Sequence, residues 1–168
     1  KVTSMHHFFI DPLYLQTAKV IFPEELCHQI ARVLRLRAGD HVVLLDNAGN
    51  EFTVNLISVG EKFTQGEIIA QAQAGSDARF NLHLFIALTQ RDKFEWILQK
   101  VCEIGVAEIT PMITSRSLQQ HQVDFLKKRD RWEKILREAA EQSRRGTIPI
   151  LHEPVNILDC VTSYNPGL

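Results

Sequence analysis

Several features that would assign a class at once are missing from this sequence. No apolar run approaches the ~20 residues a membrane helix needs, so no span is expected. The start, Lys1-Val2-Thr3-Ser4-Met5-His6-His7, lacks the long apolar core of a signal peptide. Met5 is read as the natural initiator, and the four residues before it stay out of the fold reasoning. Cysteine is sparse: Cys27, Cys102 and Cys160 are odd in number, far apart and form no CxxC. That speaks against a zinc ribbon or a redox pair and for reduced thiols in a cytoplasmic protein. GxSxG, HExxH and P-loop patterns are absent. His6, His7, His28 and His41 have no metal-site spacing, so no metal is expected. An excess of one charge is also missing. Lys+Arg 19 against Asp+Glu 20 gives −1, which argues against a wholly basic nucleic-acid binder but leaves room for a local patch.

What is present is an ordinary globular composition, 45% hydrophobic and 23% charged, which excludes a disordered chain, a collagen and a coiled-coil rod. At 168 residues the chain makes one or two domains. Its two halves differ in pattern. Residues 1–75 carry six basic and eight acidic groups, and residues 116–145 carry nine basic against five acidic.

The first half reads as short strands around one helix. Phe8-Phe9-Ile10 is a strand, and Pro23-Glu24-Glu25 opens a helix to about Leu34 with Leu26, Ile30, Val33 and Leu34 on one face. His41 to Asp46 and Glu51 to Val59 flank a hairpin loop at Asn47-Ala48-Gly49-Asn50, and Gly66 to Ala74 alternates. Close turns between short strands predict a small barrel over 1–75. After Gly75-Ser76-Asp77 the pattern becomes strand and helix in turn over 76–168. Leu82 to Thr89 reads as a strand buried on both faces, and Asp92 as the cap of a helix ending at Gly105. Val106 to Thr114 is a strand, Val123 to about Arg145 a long helix, and Thr147 to Val155 a third strand. The order predicts a parallel sheet, so the fold class is an α+β barrel followed by α/β.

Four groups of residues could carry chemistry. Glu138, Gln142 and Arg145 fall at i, i+4 and i+7 on one helical stripe, with Arg131 and Lys134 upstream. An acid, an amide and a guanidinium together can hold a nucleobase or a phosphate. The same run also contains Glu133–Arg137, Arg137–Glu141 and Glu141–Arg145, pairs that make an ordinary solvated face. Ser115 and Arg116 follow a strand, where ligands of open α/β sheets bind, and Gln90, Arg91 and Lys93 take the matching place after the strand before it. Trp96 either stacks on a base or packs against a neighbouring domain. Arg32, Arg35 and Arg37 cluster at a helix end, where they also complement the dipole.

In order along the chain stand His6-His7-Phe8-Phe9-Ile10; His28 with Val33-Leu34-Arg35-Leu36-Arg37-Ala38-Gly39-Asp40; Leu45 to Phe52; and Lys100-Val101-Cys102-Glu103-Ile104-Gly105-Val106. Ile109-Thr110-Pro111, Ser115-Arg116-Ser117, Arg131-Trp132, Glu138-Ala139-Ala140-Glu141-Gln142-Ser143-Arg144-Arg145 and Pro149 follow. This ordered series resembles the RsmE family of bacterial 16S ribosomal RNA uridine-N3 methyltransferases, of the SPOUT class. The resemblance implies a PUA-like barrel followed by the first part of a SPOUT domain, S-adenosylmethionine as donor, 16S rRNA of the small subunit as substrate, a role in ribosome biogenesis, and a homodimer. The family's Gly-Pro-Glu-Gly-Gly knot loop does not occur in these residues. The expectation is therefore an N-terminal portion without its cofactor site, inactive alone. Arg116, Glu138, Gln142 and Arg145 become candidates for the reaction. Arg32, Arg35, Arg37, Arg91, Lys93 and Arg144 become candidates for RNA contact, Arg144 standing where the family often has glycine. The rival expectation is a non-catalytic RNA-binding or ribosome-assembly module.

Overall fold

The computed structural model describes residues 5–75, 80–115 and 121–159, with the backbone alone over 121–124. The chain divides into two compact units. One is Lys1–Asp77 with Arg144–Thr147; the other is Ala78–Ser143 with Ile148–Leu168.

The first unit holds β1 (His6–Phe9), β2 (Lys19–Ile21), α1 (Glu24–His28), β3 (His41–Leu45), β4 (Asn50–Ser58) and β5 (Gln65–Gln73). The sheet order is β1-β3-β4-β5-β2. β1 runs parallel to β3, and the other pairs are antiparallel. Phe8, Val20, Phe22, Cys27, Ile30, Val42, Leu44, Val54 and Leu56 form its core. The β3–β4 turn is held by Asp46, whose carboxylate accepts from the Ala48 and Asn50 backbone N–H at 2.8 and 3.0 Å and from the Asn50 side-chain amide at 2.6 Å. Burial acts to raise this carboxyl's pKa, but those hydrogen bonds outweigh it and hold the group below its ordinary value. Asn47 and Gly49 take the positive φ that the turn requires.

The first helix departs from expectation. It is α-helical only over Glu24–His28 and widens into a π-type turn over Gln29–Val33, with the Leu34 N–H bonded to the Gln29 carbonyl at 2.9 Å. The extra residue per turn keeps Ile30 fully buried and rotates Val33, expected on the apolar face, out to 65% exposure. Strand β2 and a 3-10 turn at Pro12–Leu15 are additions to the predicted set.

The second unit contains β6 (His83–Ala87), α2 (Arg91–Glu103), β7 (Glu108–Ile113), α3 (His121–Gln142), β8 (Ile150–Leu151) and β9 (Val155–Asn156). Every strand pair is parallel, in the order β6-β7-β8, with β9 also beside β7. Helix α2 ends as read. Gly105 has φ 95°, its N–H bonds Cys102, and the Val106 N–H reaches back to Val101. Between the helices Trp132 packs on Phe94 (centroids 4.7 Å) and edge-on to Phe125 (5.6 Å).

Four expectations need correction here. Each residue of β6 is half-buried, not enclosed on both faces. Gln90, not Asp92, is the cap position of α2, and Asp92 sits in the first turn. The third strand is broken in two, since Pro154 cannot donate to a ladder. Helix α3 stops at Gln142, because Arg144 takes φ 58°, so Arg145 is not part of its stripe.

Candidate functional site

Helices α2 and α3 run side by side through a buried seam of Phe94, Leu98, Trp132 and Leu136. Along one edge of this seam lies a groove of about 430 Å³, lined by Glu95, Trp96, Gln99, Arg131, Ile135, Glu138, Ala139 and Gln142. Helical spacing produces it: 95, 96 and 99 lie on one side of α2, and 131, 135, 138, 139 and 142 follow a single stripe of α3. Trp96 is 61% exposed, so its ring is a wall of the groove and not a core residue.

The fixed charge in the groove belongs to Glu95. Its carboxylate, 13% exposed, takes a bidentate pair from Arg131, Nε at 2.7 Å and Nη2 at 2.8 Å, and a third bond from Arg91 Nε at 3.1 Å. The Arg131 hydrogen bonds dominate and hold the carboxyl below its usual range against the opposing effect of burial. They raise Arg131 in turn. Glu138 is open to solvent, its carboxylate 3.9 Å from Lys134 Nζ. Gln142, at the last turn of α3, is exposed with donor and acceptor both available to a planar polar group.

The groove thus brings together Glu138, Gln142, Arg131 and Trp96, which the sequence analysis singled out. Arg145 is not among its lining residues and is 3% exposed. Arg116 lies outside the described residues. Arg91 opens α2 and is engaged by Glu95, while Lys93 is exposed two residues on. In the first unit Arg32 pairs with Glu61 at 2.8 Å, and Arg35 (φ 56°) and Arg37 are exposed beside it in sequence. Arg144 is exposed and groups with the first unit, where its charge acts on His7. His7 is held below its ordinary pKa, first by burial and then by Arg144, against the hydrogen bond to the Met5 carbonyl. Glu95 is a residue of the groove that the sequence analysis does not single out. Its i, i+4 spacing from Arg91 was the available clue to its ion pair.

A family model for the RNA methyltransferase domain matches residues 76–166, more than half of the chain. The chain belongs to the RNA methyltransferase family. The model for the RNA methyltransferase PUA domain matches residues 24–69. Ribosomal RNA small subunit methyltransferase E of Bacillus subtilis (strain 168) is 32% identical over 150 residues, covering 86% of this chain and 58% of that protein. The protein of the same name from Buchnera aphidicola subsp. Acyrthosiphon pisum is 27% identical over 144 residues, covering 84% and 57%. The chain spans somewhat over half the length of these curated relatives. Among solved structures, ribosomal RNA small subunit methyltransferase E from Neisseria gonorrhoeae, bound to S-adenosyl methionine, superposes with a TM-score of 0.83 at 25% identity. That match covers 94% of this chain and 64% of that one. The RNA methyltransferase fold here is a PUA-like domain followed by a SPOUT-type parallel sheet, as the RsmE resemblance implied.

Proposed function

We propose that these residues hold the RNA and orient the target base for methylation of N3 of a uridine in 16S rRNA of the small ribosomal subunit. The observation that carries this reading is the α2–α3 groove, which puts Trp96, Gln142 and Glu138 around one space in a chain of the RNA methyltransferase family. Uracil N3 carries a proton, and its lone pair is delocalised into two flanking carbonyls. It becomes nucleophilic only as the proton leaves. The Gln142 amide matches the alternating donor and acceptor edge of uracil, Trp96 offers a stacking surface, and Glu138 is the proposed acceptor of the N3 proton. Arg131, pinned by Glu95, is a preorganised positive charge for the imide anion that develops.

S-adenosylmethionine supplies an electrophilic methyl group in the proposed reaction. The groove does not suit it. Its walls are helical side chains, and the helix backbone donors that would grip an adenine are already spent in the helices. The donor is therefore assigned outside the groove. Arg32, Arg35, Arg37, Lys93 and Arg144 are proposed as phosphate contacts, together with Arg116 on the strength of the resemblance alone. Arg145, being buried, is assigned a positioning role.

The test is methyl transfer from labelled S-adenosylmethionine to small subunits lacking the modification, comparing this chain with one extended to the length of its relatives. Label from the extended chain, lost on Gln142→Ala, supports the reading. No label from either leaves an RNA-binding module.

A further inference from the structure

The face of the parallel sheet carries a cluster that the RNA reading does not use. His83 opens β6, Glu108 opens β7 and is its register partner, and His152 follows β8 directly, its N–H bonded to the Ile109 carbonyl at 2.9 Å. Because alternate residues of a strand share a face, the three side chains and Thr110 stand on one side of three successive strands. One ligand atom from each of the three lies within 4.8 Å of the others. His152 Nε2 is 2.7 Å from Glu108 Oε2, and His83 Nδ1 is 4.0 Å from the same oxygen. The imidazole rings are 5.2 Å apart.

We propose that His83, Glu108 and His152 bind one divalent transition-metal ion, with Zn²⁺ the ion best matched. Two imidazoles and one carboxylate are a donor set that Zn²⁺ favours, and water completes a tetrahedron. Metal–ligand bonds of about 2.0–2.2 Å in that geometry put donor atoms about 3.3 Å apart. The observed 2.7 and 4.0 Å lie on either side of this value, so small side-chain rotations reach it. The outer contacts agree. His83 Nε2 lies 2.8 Å from Thr110 Oγ1, and the Thr110 side chain is buried. With the ion on Nδ1, the Nε2–H donates to that hydroxyl and fixes both tautomer and ring plane. Phe85 stacks on the same imidazole at 4.3 Å and limits its swing. The side chains are 24%, 37% and 39% exposed, open enough for an ion to enter and for a water to take the fourth position. A metal here ties together three strands that are 25 and 44 residues apart in sequence, one of them only two residues long. The role is that of a clip across the face of the sheet, and it stands apart from the RNA reading.

The experiment is calorimetric titration of the chelator-treated 168-residue chain with Zn²⁺ alone, paired with thermal melts. The expected result is saturable binding of one ion per chain and a higher Tm with Zn²⁺. His152→Ala and Glu108→Gln should each weaken binding at least about tenfold and remove the Tm shift. Glu108→Gln keeps size and shape, so it decides the matter if His152→Ala fails to fold. Co²⁺ in place of Zn²⁺ should give the visible absorption of a four-coordinate site in the parent and not in Glu108→Gln. His6→Ala/His7→Ala should leave all of this unchanged. Absence of saturable binding overturns the proposal. So does unchanged affinity in Glu108→Gln, or loss of binding in the His6/His7 variant.

Discussion

Gly66→Ala tests the packing of the first unit at one atom. Gly66 is buried in β5, paired with Leu56 of β4. A methyl group built there overlaps Val54 Cγ1 and comes within 3.1 Å of the Asn55 carbonyl oxygen and 3.3 Å of Phe22 Cε2. Carbon contacts sit best near 3.5–4.0 Å, so each neighbour must give way. Val54 is fully buried and cannot swing into solvent, and the Asn55 oxygen belongs to the sheet backbone. Overpacking of this kind costs about 1–3 kcal/mol. The smaller unfolded-state entropy of alanine returns about 0.4–1 kcal/mol. The net expectation is a loss of about 1–2 kcal/mol. Val54→Ala removes the overlapping methyl and alone costs about 2 kcal/mol as a cavity. Combined, the two should recover about 1 kcal/mol or more relative to their sum. Urea unfolding followed by far-ultraviolet circular dichroism measures this. Trp96 and Trp132 both belong to the other unit, so their fluorescence supplies an internal reference. A Gly66→Ala protein within 0.5 kcal/mol of the parent, or strict additivity in the double variant, would refute the reasoning.

Three further perturbations address the helical pair. Trp96→Ala should weaken RNA binding by about fivefold to a hundredfold, the worth of one base stacked on an aromatic ring, with little change in Tm since the ring is mostly exposed. Equal RNA affinity would remove Trp96 from the groove's proposed work. Glu95→Gln should cost about 1 kcal/mol at pH 7. Because the Glu95 carboxyl is depressed below its ordinary 4.5, that stabilisation is present above this pH and is lost as pH falls through the folded-state value. The gap between parent and variant must therefore close below about pH 4.5, and a pH-independent gap would contradict the ion pair. Trp132 buries its indole N–H with no partner among the described residues. Trp132→Phe removes that unsatisfied donor and should cost far less than the roughly 3–5 kcal/mol of Trp132→Ala, as thermal melts would show.

What the sequence made legible was local. The hairpin at residues 47–50 and the stop at Gly105 each rest on a residue suited to positive φ, and both stand as read. Phe94 and Leu98 of α2, four residues apart on one helical face, are both fully buried. The misreadings came where context overrode local preference. Nothing in Gln29–Val33 marks a π-type turn, since the same residues suit an α-helix. Ser143-Arg144-Arg145 holds neither glycine nor proline, so good helix formers concealed the end of α3. Residues from separate strands escape any spacing rule. His83, Glu108 and His152 meet only because β6, β7 and β8 are neighbours in the sheet. The groove was half legible, because its α3 wall is one stripe while its α2 wall requires knowing which helices pair.

Arg144 joins local strain to the RNA reading, and one substitution separates them. It stands two residues past the end of α3, with φ 58°, a conformation that costs a non-glycine residue roughly 1–2 kcal/mol. Glycine adopts it freely, which is a physical reason for the glycine that the RsmE resemblance implies at this place. Arg144→Gly should therefore keep the exit from α3 and raise Tm by about 2–4 °C, as relief of about 1 kcal/mol does in a chain of this size. Arg144→Ala retains the strain and should show no gain. Both remove the guanidinium. If it contacts phosphate, both weaken RNA binding alike and lower the salt slope by about one. Both also remove a positive charge that acts on His7, so the His7 pKa, followed by NMR titration, should rise towards 6.5 in each. A lower Tm for the glycine variant would mean that the side chain stabilises the exit by more than its strain. RNA affinity equal to the parent's in both variants, with His7 shifted as expected, would confine Arg144 to the fold.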